Sequence, residues 1–218
     1  MKAIIIGATG LVGNQLLQLL AEDERITQIA IFSRRTTGIQ HTKAEEHIID
    51  FEKPEEWQHL VTGDIFFSAL GTTLKIAGSK DNQYKIDHTY QYRFAETAAN
   101  NGVPVYVLVS APYADPASRF FYQRMKGKLE HDIKKLSFSS INIIQPGLLY
   151  GGRKESRPGE TAGYYVLSAL NKIGLLRDFR PIHGRKVAMA MLNVAMNARQ
   201  GINTFSPGEV FVQAGNPN

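Results

Sequence analysis

A glycine-rich turn between an apolar strand and a helix is the feature that most constrains how this 218-residue chain folds. The predicted strand Lys2–Ile6 runs into the turn, and a helical stretch, Leu11–Ala21, follows it. Gly7 permits a tight turn, Gly10 lets the backbone approach a ligand closely, and Gly13 lets the helix pack on the strand. Such a turn presents the amino end of the helix to phosphate groups, although a glycine turn that binds nothing is the alternative. The residues expected to bind a dinucleotide here are Gly7, Thr9, Gly10, Leu11, Val12 and Gly13.

Short β-rich runs and helical stretches alternate along most of the chain, which is typical of parallel βαβ units. The runs are continuously apolar, so we expect a sheet covered on both faces. The fold class predicted is α/β: a doubly wound, mostly parallel sheet with helices on both faces and a short C-terminal extension. Predicted strands are Lys2–Ile6, Gln28–Phe32, His47–Ile49, Ile65–Ala69, Val105–Val109, Ile141–Ile144 and Glu209–Val212. Predicted helices are Leu11–Ala21, Pro54–Leu60, Asn82–Asn100, Ser118–Leu136, and segments near Gly163–Ile173 and Arg185–Arg199.

Length and composition predict one globular domain over residues 1–218. Within it, residues 1–146 form a cofactor-binding core, and residues 147–218 form a substrate-side segment that is not an independent domain. The chain has no cysteine, which excludes disulfides and zinc–thiolate sites, and its six histidines show no paired spacing, so no metal is expected. We see no signal peptide and no apolar run of about 18 residues, which predicts a cytoplasmic protein without a membrane partner.

The net charge of +5 is unevenly distributed. Residues 1–109 contain 10 basic and 13 acidic residues, whereas residues 110–218 contain 15 and 7. The basic residues come singly or in pairs, so nucleic-acid binding is not predicted. An anionic small-molecule substrate or a cofactor phosphate explains the excess, as does an ordinary solvated basic face. The sequence leaves both a monomer and a homodimer open.

The end of the second predicted strand indicates which dinucleotide is preferred. An acid that binds the ribose diol of NAD is expected about 20 residues after the glycine turn. The strand instead ends in Ser33-Arg34-Arg35, and no acid occurs between Thr27 and Ala44. Because two guanidinium groups can bind a 2′-phosphate through forked hydrogen bonds, this favours NADP(H) over NAD(H), unless the arginines only solvate a loop.

Three further strand ends are expected to border the cofactor, since open α/β sheets bind ligands at the carboxyl ends of their strands. Asp50-Phe51 follows the third strand, where the acid can accept the adenine amino group or simply form a surface turn. Ala69-Leu70-Gly71-Thr72 follows the fourth strand and is expected to pass over the nicotinamide ribose. Pro146-Gly147-Leu148 follows the sixth strand, beside the expected nicotinamide position.

A hydroxyl, a phenol and an ammonium follow in an order that predicts proton transfer. Ser110 ends the fifth strand, and Tyr122 and Lys126 are four residues apart, so they share one helix face. The ammonium would stabilise the phenolate, and Tyr122 would act as general acid in reduction and general base in oxidation. Ser110 would hydrogen-bond the substrate oxygen, and Lys126 would also hold the ribose hydroxyls. A Tyr–Lys pair at this spacing also occurs by coincidence on amphipathic helices.

These motifs together resemble the atypical branch of the short-chain dehydrogenases/reductases, in particular the small Tat-interacting-protein-like oxidoreductases and bacterial nucleoside-diphosphate-sugar epimerase-like proteins. The resemblance covers nearly the whole chain and implies a Rossmann-type sheet, NADP(H) binding, and Ser110, Tyr122 and Lys126 as the catalytic set. The segments that carry it are Gly7–Gly13, Ala69–Thr73 with Ala77–Ser79, Phe120–Gly127, Gln145–Leu149 and Glu155–Glu160.

Two positions depart from the pattern of these relatives: Gln145 replaces a common Arg, and Asp87 replaces an Asn that completes a proton relay in many of them. The function predicted is an NADP(H)-dependent oxidoreductase acting on a small carbonyl or alcohol substrate. A nucleotide-sugar epimerase or dehydratase is a second interpretation, weakened by the few residues after Pro146. A non-catalytic NADPH-binding regulator is a third, and the retained Tyr122 and Lys126 argue against it.

Overall fold

A computed structural model describes residues 1–151 and 180–215. The strands are β1 (Lys2–Ile6), β2 (Gln28–Ser33), β3 (Ala44–Ile48), β4 (Ile65–Ser68), β5 (Val105–Val109), β6 (Ser140–Ile144), β7 (Leu149–Tyr150), β8 (Ile182–His183) and β9 (Gly201–Phe205). The helices are α1 (Leu11–Glu22), α2 (Pro54–Trp57), α3 (Leu74–Ala77), α4 (Lys80–Tyr84), α5 (Gln91–Asn100), α6 (Phe121–Ile133), α7 (Gly184–Met196) and α8 (Pro207–Gln213). A 3₁₀ turn (Gln58–Leu60) follows α2, and a π-helical segment (Lys85–Tyr90) joins α4 to α5.

Seven strands form one sheet in the order β3-β2-β1-β4-β5-β6-β9, and every neighbouring pair is parallel. The first six follow the strand order of a Rossmann fold, with the reversal beside β1. The short strands β7 and β8 pair with each other outside this sheet. The predicted doubly wound α/β fold is therefore confirmed.

The two faces of the sheet have separate apolar cores because successive side chains of a strand point in opposite directions. Ala3 and Ile5 of β1 pack on one face with apolar residues of α1, α7 and α8. Ile4 and Ile6 pack on the other face with an aromatic group that includes Trp57 and with residues of α5 and α6. The helix that carries Tyr122 and Lys126 is thus fixed on the second face.

The predicted last strand, Glu209–Val212, is wrong because this segment lies in helix α8. A short apolar run does not separate strand from helix, and here the capping residues decide. The Ser206 backbone N–H donates to the Glu209 carboxylate at 2.8 Å, the two side chains form a capping box, and Pro207 stands at the first turn. The last strand of the sheet, which pairs with the outer side of β6, is instead β9. The sequence analysis did not predict this strand.

Other predicted elements differ mainly in their ends. β3 begins at Ala44 rather than His47, and α6 begins at Phe121 rather than Ser118. The predicted helix Asn82–Asn100 begins earlier, in α4, and contains the π-helical segment. The predicted helix near Gly163–Ile173 and the segment Glu155–Glu160 lie outside the described residues. Within those residues, none of the helices has the length and apolar character that crossing a bilayer requires.

We predict that Gly127→Ala destabilises the protein. A Cβ at this position of α6 would lie 2.2 Å from the Asp115 carbonyl carbon and 2.3 Å from the Pro116 nitrogen, both backbone atoms. The clash should outweigh the gain of about 1 kcal/mol that alanine gives inside a helix and lower the free energy of unfolding by about 1–3 kcal/mol. Urea denaturation measures the change, with the exposed neighbour Lys128→Ala as control. A Gly127→Ala protein as stable as the control would contradict the packing.

Candidate active site

The residues expected to bind cofactor and substrate follow the carboxyl ends of six parallel strands, β1 to β6. Since the strands are parallel, these ends lie along one edge of the sheet. The glycine turn follows the central strand β1, Arg34 and Arg35 follow its neighbour β2, and Ala69–Thr72 follow its other neighbour β4. The fold therefore brings together segments that are up to about 140 positions apart in the chain.

The glycine turn and the segment after β4 are in direct backbone contact. Gly7 has φ +81°, and a Cβ there would lie 2.4 Å from the Ala69 carbonyl carbon and the Leu70 nitrogen. A Cβ on Gly13 would lie 2.1 Å from the Gly7 oxygen. The Gly10 N–H donates to the Gly7 oxygen at 2.9 Å and closes the turn. The glycines thus leave room for the backbone to pack against itself, and the first turn of α1 faces the edge where a dinucleotide phosphate fits.

Arg34 and Arg35 extend from the end of β2 next to this turn and are both exposed. Neither guanidinium forms a hydrogen bond or an ion pair with any residue in the described part of the chain. The Ser33 hydroxyl donates to the Arg35 carbonyl oxygen at 2.7 Å and shapes the backbone between them. Both positive charges therefore remain available to an anion.

Glu46 of β3 is an acid near this loop that the sequence analysis did not identify, because it lies on the next strand and well beyond the roughly 20 residues searched after the glycine turn. Its carboxylate accepts hydrogen bonds from the Thr36 hydroxyl at 2.8 Å and the Thr37 backbone N–H at 2.7 Å. Burial opposes ionisation, but the hydrogen bonds from Thr37 and Thr36 prevail and lower the pKa of Glu46. Glu46 thus holds the loop that follows Arg35.

The two residues after β3 are placed differently from each other. Asp50 is exposed, and its carboxylate accepts the Glu52 backbone N–H at 2.9 Å. The Phe51 ring is buried and stacks on Tyr90 with ring centroids 5.3 Å apart. Only the backbone of Phe51 is therefore free to border a cofactor, while its side chain belongs to the core.

A buried polar network that the sequence analysis missed fixes the segment after β4. The Asp87 carboxylate accepts the Thr72 backbone N–H at 2.7 Å. The Ser68 hydroxyl donates to the Gln91 side-chain oxygen, and the Gln91 amide donates to the Asp87 backbone oxygen, both at 2.7 Å. Asp87 belongs to the π-helical segment, where the regular backbone hydrogen bonds of an α-helix are interrupted. The Gln91 side chain can therefore donate to the Asp87 backbone carbonyl. Asp87 thus holds a loop that we expect beside the cofactor.

His88, also in the π-helical segment, contacts Asp132 of α6. Its Nε2 is 3.2 Å from an Asp132 oxygen, while its Nδ1 is buried without a hydrogen-bond partner. Burial lowers the pKa of His88; the Asp132 carboxylate opposes this shift, and Lys128 and Lys126 add to it. The lowered pKa of His88 therefore favours its neutral form at neutral pH.

Tyr122 and Lys126 lie on one face of α6 with different exposure. Tyr122 is exposed near the amino end of the helix, with 37% of its surface accessible, whereas Lys126 is buried, with 3% accessible. Lys126 forms no ion pair with a described carboxylate. A buried ammonium one helical turn from a phenol is able to stabilise a phenolate, and this role of Lys126 stays a prediction.

Ser110 lies at the end of β5, but its hydroxyl is directed at α6. It donates to a Glu130 carboxylate oxygen at 2.5 Å, and both residues are buried. The Gln145 side-chain amide at the end of β6 donates to the same oxygen at 2.9 Å. Glu130 was not recognised in the sequence, although its position four residues after Lys126 on the same helix face was a signal.

The segment after β6 is largely enclosed. Pro146 and Gly147 are buried, and the Leu148 carbonyl accepts the Ile182 backbone N–H at 2.9 Å, which leads into the β7–β8 pair. A Cβ on Gly184 would lie 2.9 Å from Leu11 Cγ, so the start of α7 packs on the start of α1. The C-terminal part of the chain therefore packs directly against the glycine turn.

Residues 2–117 match the protein family described as "Semialdehyde dehydrogenase, NAD binding domain". The chain is 35% identical to the mitochondrial protein fmp52 of Aspergillus clavatus, with 97% of this chain and 94% of that protein covered. It is 34% identical to the mitochondrial protein FMP52 of Candida albicans, with 99% and 95% covered. The chain belongs to the Fmp52 family. This Fmp52-family protein carries an NAD-binding domain, and the Rossmann-type sheet that the resemblance implied is confirmed.

Solved structures with the same fold include sugar-nucleotide epimerases. UDP-glucose 4-epimerase of Thermotoga maritima superposes with a TM-score of 0.69 at 13% identity, covering 97% of this chain and 81% of that one. UDP-glucose 4-epimerase of Thermus thermophilus, solved in complex with NAD, gives 0.69 at 15% identity, covering 100% and 84%. At these identities the likeness establishes the fold.

The expected cytoplasmic location is wrong, because the Fmp52 relatives are named as mitochondrial proteins. The expectation came from the lack of a recognised signal peptide. Cellular addresses are read by receptors and are independent of the fold, so that observation does not assign a compartment.

We predict that Gln91→Leu destabilises the protein through the network beside β4. The substitution removes the Gln91 bonds of the buried Ser68 hydroxyl and Asp87 carbonyl, at a cost of about 1–3 kcal/mol for each group. Urea denaturation should show a loss of roughly 2–4 kcal/mol. Gln18→Leu, on the exposed face of α1, is the matched control. Equal stabilities of the two variants would exclude a structural role for the network.

Proposed function

We propose that this Fmp52-family protein is an NADP(H)-dependent oxidoreductase that transfers a hydride to or from a small carbonyl or alcohol substrate. The observation that carries the proposal is the partly exposed Tyr122 one turn from the buried Lys126, at the sheet edge that also holds the glycine turn. A protein that only bound the dinucleotide could use Lys126 for the ribose, but it would not need the phenol of Tyr122 one turn away.

The glycine turn and the segments after β4 and β6 fit a dinucleotide. A side chain on Gly7 or Gly13 would overlap backbone atoms, and the first turn of α1 offers N–H groups to a pyrophosphate. The bound nicotinamide would supply the hydride. Lys126 would hold the ribose hydroxyls, and the loop Ala69–Thr72, fixed by Asp87, would border the ribose.

Tyr122 would transfer the proton. In reduction its hydroxyl donates to the substrate oxygen and becomes a phenolate, which the Lys126 ammonium stabilises. In oxidation the phenolate removes the proton from the alcohol. The partial exposure of Tyr122 gives a substrate access to its side chain, and the burial of Lys126 strengthens the charge interaction by excluding water.

Arg34 and Arg35 support a preference for NADP(H). Their guanidinium groups are exposed and form no ion pair with the described residues, and they follow the strand next to β1. Glu46, the acid nearest in the fold to this loop, is engaged by Thr36 and Thr37. Two free guanidinium groups can therefore bind a 2′-phosphate.

We predict that Tyr122→Phe lowers kcat for reduction of an aldehyde or ketone by about 10²–10⁴-fold, because the general acid is removed. The NADPH dissociation constant should change little, and NADPH absorbance and calorimetry measure the two quantities. Tyr92→Phe, which removes a phenol bonded to Glu96 on α5, is the control. Full turnover by Tyr122→Phe would refute the role of Tyr122. A wild-type protein that binds NADPH but reduces no carbonyl compound would favour the regulator.

We predict that the double variant Arg34→Ala/Arg35→Ala weakens NADPH binding by about tenfold or more, the effect expected for lost hydrogen bonds between charged groups. NADH binding should change by less than about twofold, because NADH lacks the 2′-phosphate. Isothermal titration calorimetry at one fixed salt concentration measures both. Arg93→Ala, exposed on α5, controls for the loss of surface charge. Equal losses for the two dinucleotides would overturn the assignment.

A further inference from the structure

Glu130 is a buried carboxylate to which the proposed reaction assigns no part. It lies on the α6 face that carries Tyr122 and Lys126, and only 4% of its surface is accessible. Burying a carboxylate is costly unless hydrogen bonds compensate for the lost water. Its contacts therefore indicate what this charge does in the fold.

One Glu130 oxygen joins the ends of two strands to the helix. It accepts the Ser110 hydroxyl from the end of β5 at 2.5 Å and the Gln145 amide from the end of β6 at 2.9 Å. The other oxygen is 3.8 Å from the Lys134 ammonium, one helical turn further along. Hydrogen bonds to a buried charged group are short and strong, and the Ser110 distance lies in that range.

We propose that Glu130 is a positioning residue that aligns the nicotinamide side of the site with Tyr122 and Lys126. Gln145 immediately precedes Pro146-Gly147-Leu148, so its bond to Glu130 fixes where this segment begins. A hydroxyl has one hydrogen, and that of Ser110 is donated to Glu130. Ser110 therefore acts by anchoring β5 to α6, and Tyr122 is the side chain that donates to the substrate oxygen. This inference rests on the proposed NADP(H) function.

The test compares NADPH with adenosine 2′,5′-bisphosphate, which contains only the adenosine half of the cofactor, by isothermal titration calorimetry. Glu130→Leu should raise the NADPH dissociation constant by about tenfold or more, because the nicotinamide side of the site loses its alignment. The dissociation constant of the bisphosphate should change by less than about twofold, because the adenosine side is unaffected. Glu130→Gln keeps an oxygen for both bonds and should restore most of the NADPH affinity. The exposed Glu24→Leu, beyond the end of α1, is the matched control. Equal weakening of both ligands, or no weakening, would overturn the proposal.

A double-mutant cycle on unfolding tests the Ser110 contact without any ligand. Ser110→Ala should lower the unfolding temperature in the wild-type background and have little or no effect in the Glu130→Leu background, because the partner is already absent. Additive effects of the two substitutions would refute the contact. If the wild-type protein binds neither ligand, the proposed function fails, and the cycle still decides whether Glu130 anchors Ser110. If Glu130→Leu does not fold, Gln145→Leu replaces it in the calorimetry. This variant removes only one bond to Glu130 and should weaken NADPH binding less.

Discussion

The close backbone contact between the glycine turn and the segment after β4 is the constraint on which the rest of the site depends. Gly7 lies against Ala69 and Leu70, and Gly13 lies against Gly7, at distances that leave no space for a Cβ. Side chains here would separate β1 from α1 and displace the β4 segment, and the amino end of α1 would no longer face the sheet edge. The contact thus sets the spacing between β1, α1 and the segment after β4, against which the other site residues are placed.

Buried polar groups complete the arrangement around that contact. Asp87 and Gln91 hold the segment after β4, and Glu130 holds the ends of β5 and β6 against α6. Each group is buried and bonded to backbone or to another side chain, so its removal leaves unpaired donors or acceptors. The site consequently depends on a supporting set of residues that need not touch cofactor or substrate.

The fold and the order of the site segments could be predicted because their signals are local. The strand–glycine turn–helix pattern specifies the first βαβ unit. At the other end of the chain, Ser206-Pro207 with Glu209 was a signal for a helix, but the apolar run Val210–Val212 was interpreted as a strand. Strand β9 could not be predicted, since Gly201–Phe205 is mostly exposed and lacks a clear alternation. Spacing along the chain also gave no sign of Glu46, which reaches the Arg35 loop from the next strand.

By itself the sequence determined the α/β class, the family resemblance, and the segments that the fold brings to one edge of the sheet, because glycine conformational freedom and strand periodicity act over a few residues. The tertiary structure alone decided which way the buried side chains are directed. Ser110 was expected to face the substrate, yet its hydroxyl is bonded to Glu130, twenty residues away. Packing decided this, since a buried carboxylate must find donors among whichever strand ends the fold brings next to it.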